Sequence, residues 1–105
     1  LPRFEVEIEG RGTVVLPAFG LADAEHRVEK EIVKRLPEAR VSIHSVERPP
    51  GSSRIVEEFS VTYSLRLRFP VDVADDDEAV PTAFRAVRDA LIGTRYERTR
   101  WEQVR

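Results

Sequence analysis

Phe4, Val6 and Ile8 alternate with Arg3, Glu5, Glu7 and Glu9, the period of two expected of a strand with one buried face. Gly10-Arg11-Gly12 comes next and predicts a turn, its glycines supplying any positive φ required, so that Thr13 to Leu16 returns as the second arm of a hairpin. Beyond Pro17 and Gly20 the spacing changes. Leu21, Ala24, Val28, Ile32 and Leu36 fall on one helical face, and Pro37 ends it. The opposite face carries Arg27/Glu31 and Glu31/Arg35 at four-residue spacing, a solvated charge pattern. Val41 and Ile43 predict a strand within Arg40 to Arg48, and Pro49-Pro50-Gly51-Ser52-Ser53 is the strongest loop signal in the chain.

The second half opens with the cleanest alternation. Phe59, Val61, Tyr63, Leu65, Leu67 and Phe69 interleave with Ser60, Thr62, Ser64, Arg66 and Arg68, predicting a long strand whose aromatic face is buried. Asp75-Asp76-Asp77-Glu78 then precedes Val80, Ala83, Phe84, Val87, Ala90 and Leu91, a second helical face closed by Gly93. Carboxylates at a helix start favour the positive end of its dipole, and Pro81 is tolerable within a first turn. A last strand is expected from Arg95 to about Gln103. Val41 and Ile43 have opposite parity to Val46, as Tyr96 has to Trp101, so a bulge or strand end must intervene in each segment.

Without a gap, the chain matches itself at an offset of 55 residues: Phe4, Val6 and Ile8 fall on Phe59, Val61 and Tyr63, and Ala24, Ile32 and Leu36 on Ala79, Val87 and Leu91. Residues 1–48 and 54–105 therefore read as two pseudo-repeats of one strand–helix–strand unit within a single domain spanning 1–105. The order βαββαβ, with the first strand folded as a hairpin, predicts an α+β sandwich on the ferredoxin-like plan: an antiparallel sheet with both helices on one face. Right-handed crossovers would set the first and third strands side by side, placing Glu5, Glu7 and Glu9 across from Arg66 and Arg68 on the face away from the helices.

Composition narrows the function classes. With 41% hydrophobic and 34% charged residues, the chain has enough apolar material for a core. It lacks cysteine and methionine, which removes disulfide frameworks, thiolate metal sites and redox thiols, and a cytoplasmic location is expected. Its longest apolar stretch, from Val14 to Ala22, is broken by Pro17 and Gly20 and falls short of the roughly 18–20 residues of a membrane span. Residues 1–80 hold 11 basic and 16 acidic side chains, whereas residues 81–105 hold 6 and 3. A pI near 5.7 argues against a domain built to coat nucleic acid, even with this basic tail.

Specific chemistry is sparse. His26 and His44 each lack a second histidine or an acidic pair at metal-ligand spacing, and no cofactor is expected. The run from Asp75 to Glu78 lacks the alternating spacing that wraps a cation, so helix capping explains it better. Arg95-Tyr96-Glu97-Arg98-Thr99-Arg100-Trp101 interleaves basic and aromatic residues as an RNA-binding surface does. Against that reading, the third strand puts its aromatics on the buried side. Phe19-Gly20-Leu21-Ala22 leads from a strand into a helix and resembles the Gly-Leu turn of ACT-type amino-acid sensor domains, which share the βαββαβ order. That resemblance implies a small ligand held at Gly20 and Leu21, although a hairpin before the turn departs from the pattern. The leading expectation is a non-catalytic interaction or assembly module, a homo-oligomer or a subunit of a larger protein complex. It would dock through its sheet face or an edge strand, with Arg66, Arg68, Arg98 and Arg100 as the contact side chains.

Overall fold

The computed structural model describes residues 1–48 and 57–105. The Pro49–Ser53 loop expected above lies outside the described residues. Six elements follow in chain order: β1 (Arg3–Ala18), α1 (Leu21–Arg35), β2 (Arg40–Glu47), β3 (Glu57–Asp72), α2 (Asp76–Leu91) and β4 (Arg100–Gln103). The fold is α+β, with one four-stranded antiparallel sheet in the order β2-β3-β1-β4 and two helices.

Both central strands are 16 residues long and pair without interruption from Arg3↔Asp72 to Ala18↔Glu57. Even-numbered residues of β1 and odd-numbered residues of β3 point the same way and are mostly buried: Ile8, Val14 and Leu16 stand opposite Leu67, Val61 and Phe59, with Tyr63 and Leu65 opposite the two glycines. Ala24, Val28 and Ile32 of α1 and Ala79, Ala83 and Val87 of α2 close over them, so the helices share that face and the core lies between the layers. Small residues where each helix meets the sheet let the layers approach closely.

The expected hairpin is not there. β1 runs straight through Gly10-Arg11-Gly12, and both glycines keep the inward parity of Ile8 and Val14. Their small size serves packing rather than a turn. A Cβ on Gly10 would stand 2.7 Å from Trp101 Cζ3 and Thr99 Cγ2, and one on Gly12 would stand 2.5 Å from the Tyr63 hydroxyl. Neither glycine has a positive φ; among the described residues only Gly93, just past α2, does, at 80°.

The last strand is also shorter than expected. Residues 95–98 form a turn, β4 begins at Arg100, and the parity conflict between Tyr96 and Trp101 disappears with it. Tyr96 is pulled inward to meet the Tyr63 ring edge-on at 5.6 Å and donates its hydroxyl to Glu31 at 2.6 Å. Thr99 donates to the Tyr96 carbonyl and so accepts from the Tyr63 hydroxyl, both at 2.6 Å. Burial, followed by the Glu31 carboxylate beside it, holds the Tyr96 hydroxyl protonated far above its ordinary range; burial raises Tyr63 as well, against the Thr99 contact. In β2 the conflict is resolved by a bulge at His44: Ile43 pairs with Tyr63 and Ser45 with Thr62, leaving His44 as the extra residue.

Each helix start is stabilised by its own carboxylates. Asp75 accepts from the Glu78 N–H at 3.1 Å while Glu78 reaches back to the Ala74 N–H at 3.2 Å, a reciprocal cap that accounts for the acidic run. Pro81 sits in the second turn of α2 rather than the first. At α1, Asp23 accepts from the Phe19 N–H and from Arg27 Nε, both at 2.9 Å; the backbone contact first and Arg27 second keep its carboxyl below the usual range.

Candidate interaction face of the sheet

The side of the sheet away from the helices has no covering element among the described residues. It carries the odd residues of β1 and the even residues of β3, flanked by Arg40, Ser42, His44 and Glu47 of β2 and by Arg100 and Glu102 of β4. A 16-residue strand rises about 3.3 Å per residue, so the face is roughly 50 Å long. Its centre is rich in hydroxyls: Thr13 and Thr62 meet at 3.1 Å, and Ser64 bonds His44 Nε2 at 2.7 Å.

Charges are arranged in rows across the strands. One row reads Arg40, Arg66, Glu9, Glu102, and the next reads Ser42, Ser64, Arg11, Arg100. Two arginine pairs therefore stand directly opposite each other, Arg40 with Arg66 and Arg11 with Arg100, an arrangement that costs stability in an isolated sheet. Arg11 is compensated by Glu102 at 3.1 Å and Glu9 at 3.5 Å. Arg68 reaches its opposite neighbour Glu7 at 3.4 Å, the charge pairing expected between the first and third strands. Glu9 stands opposite Arg66 but turns to Arg11. Among the described residues, no carboxylate oxygen lies within 4.0 Å of Arg40 or Arg66.

Arg66, Arg68 and Arg100 thus share the open face, with Arg100 separated from β3 by β1. Arg98 does not join them, because it lies exposed in the turn before β4. Sequence reasoning missed Arg40 and Arg11, whose alternation with Val41 and flanking glycines was legible but whose partners were not. At the Gly20 turn, Asp23 accepts from the Phe19 N–H, while Gly20 begins α1 without a side-chain cap.

Much of the open edge is guarded. Val104 donates to the Glu7 carbonyl, so odd residues of β1 turn their backbone groups away from β3. Beyond Arg100, where β4 begins, this leaves Thr13, Val15 and Pro17 on an edge, where Arg95 covers the Val15 carbonyl at 3.3 Å and Pro17 has no N–H. Beyond Arg40 the equivalent edge of β3 presents Arg68, Pro70 and Asp72, again with a proline in the middle. The edge of β2 is broken by the His44 bulge.

No protein-family model matches the chain, and no curated protein does. Among solved structures it is similar to a crystal structure from Burkholderia cenocepacia provisionally described as an amidohydrolase/peptidase, at 17% identity and a TM-score of 0.32 over 98% of this chain. The chain spans 28% of the length of that structure. A likeness of that size leaves the chemistry to be argued from this chain's own residues.

Proposed function

We propose that this is a non-catalytic interaction module, ferredoxin-like in plan, that docks onto a protein partner through the uncovered face of its sheet. The observation that supports this most is the directly opposed pair of Arg40 and Arg66 on that face, neither of which has a carboxylate oxygen within 4.0 Å among the described residues. Like charges in register are a cost the free domain bears, and a partner's carboxylates would remove it. Guarded edges favour the face over strand addition as the mode of contact. Arg66, Arg68 and Arg100 are the contact residues of this reading, now joined by Arg40 and Arg11, whereas Arg98 lies off the sheet. A cytoplasmic setting suits a chain without cysteine.

Light scattering on the purified chain at two concentrations, for wild type and for Arg11→Glu/Arg40→Glu, tests it first. A dimer or larger assembly that the double variant reduces to monomer identifies the partner as a second copy. A wild-type monomer directs the search to a different protein, retained from native extract by the immobilised wild type and not by the variant. If the variant keeps every association of the wild type, docking through this face is wrong.

A further inference from the structure

Arg40, Arg66 and Arg68 line one cleft of about 450 Å³ together with Glu7, Glu38 and Leu67. It lies where β2 begins, so that β3 continues past Arg66 with no neighbouring strand on that side. Within it the charges are unevenly matched. Glu7 is held by Arg68, while Arg40 and Arg66, opposite each other in register, have no carboxylate oxygen within 4.0 Å among the described residues. All three arginine side chains are exposed.

We propose that this cleft binds an acidic segment of a partner protein, with one carboxylate bridging the guanidinium groups of Arg40 and Arg66. The inference rests on the docking reading above and names the partner's chemistry. Cross-strand neighbours of this kind have Cα atoms about 5.5 Å apart, which lets two guanidinium groups converge on one carboxylate from either side. Each guanidinium offers a planar fork of N–H donors matched to two carboxylate oxygens, and bound together they exchange mutual repulsion for charge-assisted hydrogen bonds. Ser42 stands in the adjacent row and supplies a hydroxyl for the polar groups flanking that carboxylate, next to Ser64, whose hydroxyl is bonded to His44 Nε2. Glu38 and the already paired Glu7, which also line the cleft, limit the positive field, so it suits a single carboxylate on a peptide better than a polyanion. Pro70 and Arg68 on the adjoining edge discourage strand addition, so side chains on the face carry the recognition.

Selection of a random peptide library displayed on phage against the full chain tests this, with inorganic phosphate as competitor. Recovered peptides should be enriched in Asp and Glu over the unselected library, and Arg40→Glu/Arg66→Glu should weaken a chosen peptide by roughly tenfold or more. Selection repeated on that variant should lose the acidic preference. Circular dichroism and the unfolding midpoint show whether the variant is folded, and the single variants Arg40→Gln and Arg66→Gln provide a milder second reading. Peptides without an acidic bias, or binding indifferent to the reversal, would overturn the cleft while leaving docking elsewhere on the face intact. Phosphate that binds alone as tightly as the peptide and displaces it would make this a small-anion site instead. No enrichment at all also overturns the acidic-segment site, and the light-scattering comparison then judges the docking reading separately.

Discussion

Gly10 and Gly12 show how one residue type serves opposite purposes. Beside a ladder of alternating residues a glycine pair suggests a turn, yet here both sit in extended backbone paired with β3, and a side chain at either would run into the ring of Trp101 or Tyr63. Gly12→Ala should therefore destabilise the domain by about 1–3 kcal/mol through overpacking against Tyr63, measured by urea unfolding. Gly20→Ala is the control, since nothing lies within 4 Å of its added Cβ and its φ is 179°; its unfolding midpoint should hold or rise slightly. Tyr96 gives a pH prediction. Its folded-state pKa is raised, so the stability it contributes is complete below the unfolded tyrosine value near 10 and is lost as pH rises above it. Tyr96→Phe should cost about 1 kcal/mol at neutral pH and flatten the fall in urea midpoint between about pH 9 and about pH 11. An unchanged slope would show that Tyr96 does not carry this dependence.

At the scale of elements, the His44 bulge decides how β2 behaves as an edge. Ser45, Val46 and Glu47 pair with Thr62, Val61 and Ser60 in continuous sequence after Ile43 pairs with Tyr63, so removing His44 leaves every other partner in place. Deleting it should preserve the circular dichroism spectrum and the cooperative unfolding transition. It should also leave a regular, unguarded edge strand, and light scattering should show greater self-association than in wild type. A deleted chain that unfolds would mean the bulge is needed for the twist of β2 instead. Both helix starts have carboxylates bonded to backbone N–H groups, Asp75 and Glu78 at α2 and Asp23 at α1, which gives the acidic run a structural role.

The whole molecule is a long two-stranded ribbon widened by two short strands, with helices on one side and a mixed-charge face on the other. No helix among the described residues is long and apolar enough to cross a membrane. Stability and docking should pull in opposite directions on the open face. Arg40→Glu turns a like-charge cross-strand pair with Arg66 into an attractive one, so the free domain should gain about 0.2–1 kcal/mol in urea unfolding while any partner held through that row is released. A destabilised Arg40→Glu chain would mean the pair is already relieved in the free domain, removing the main support for the face as a docking surface.

Strand and helix identity was legible in the sequence because burial on one side imposes a period: the alternation around Val61, Tyr63 and Leu65 and the three-to-four spacing of Ala24, Val28 and Ile32 each describe a face that must leave water. That same periodicity made the pairing of Glu7 with Arg68 deducible, since the order of elements sets the first strand beside the third. What a glycine pair does, where a strand stops and which residue bulges depend on neighbours distant in sequence. Gly10 and Gly12 are extended by pairing with β3 and must be small beside Trp101 and Tyr63, the turn from Arg95 to Arg98 places Tyr96 against Glu31, and His44 bulges so that Val41, Ile43 and Val46 can all face the core. The opposed pair of Arg40 and Arg66 belongs to the same class. Twenty-six residues separate them along the chain, and only the register of β2 on β3 makes them neighbours.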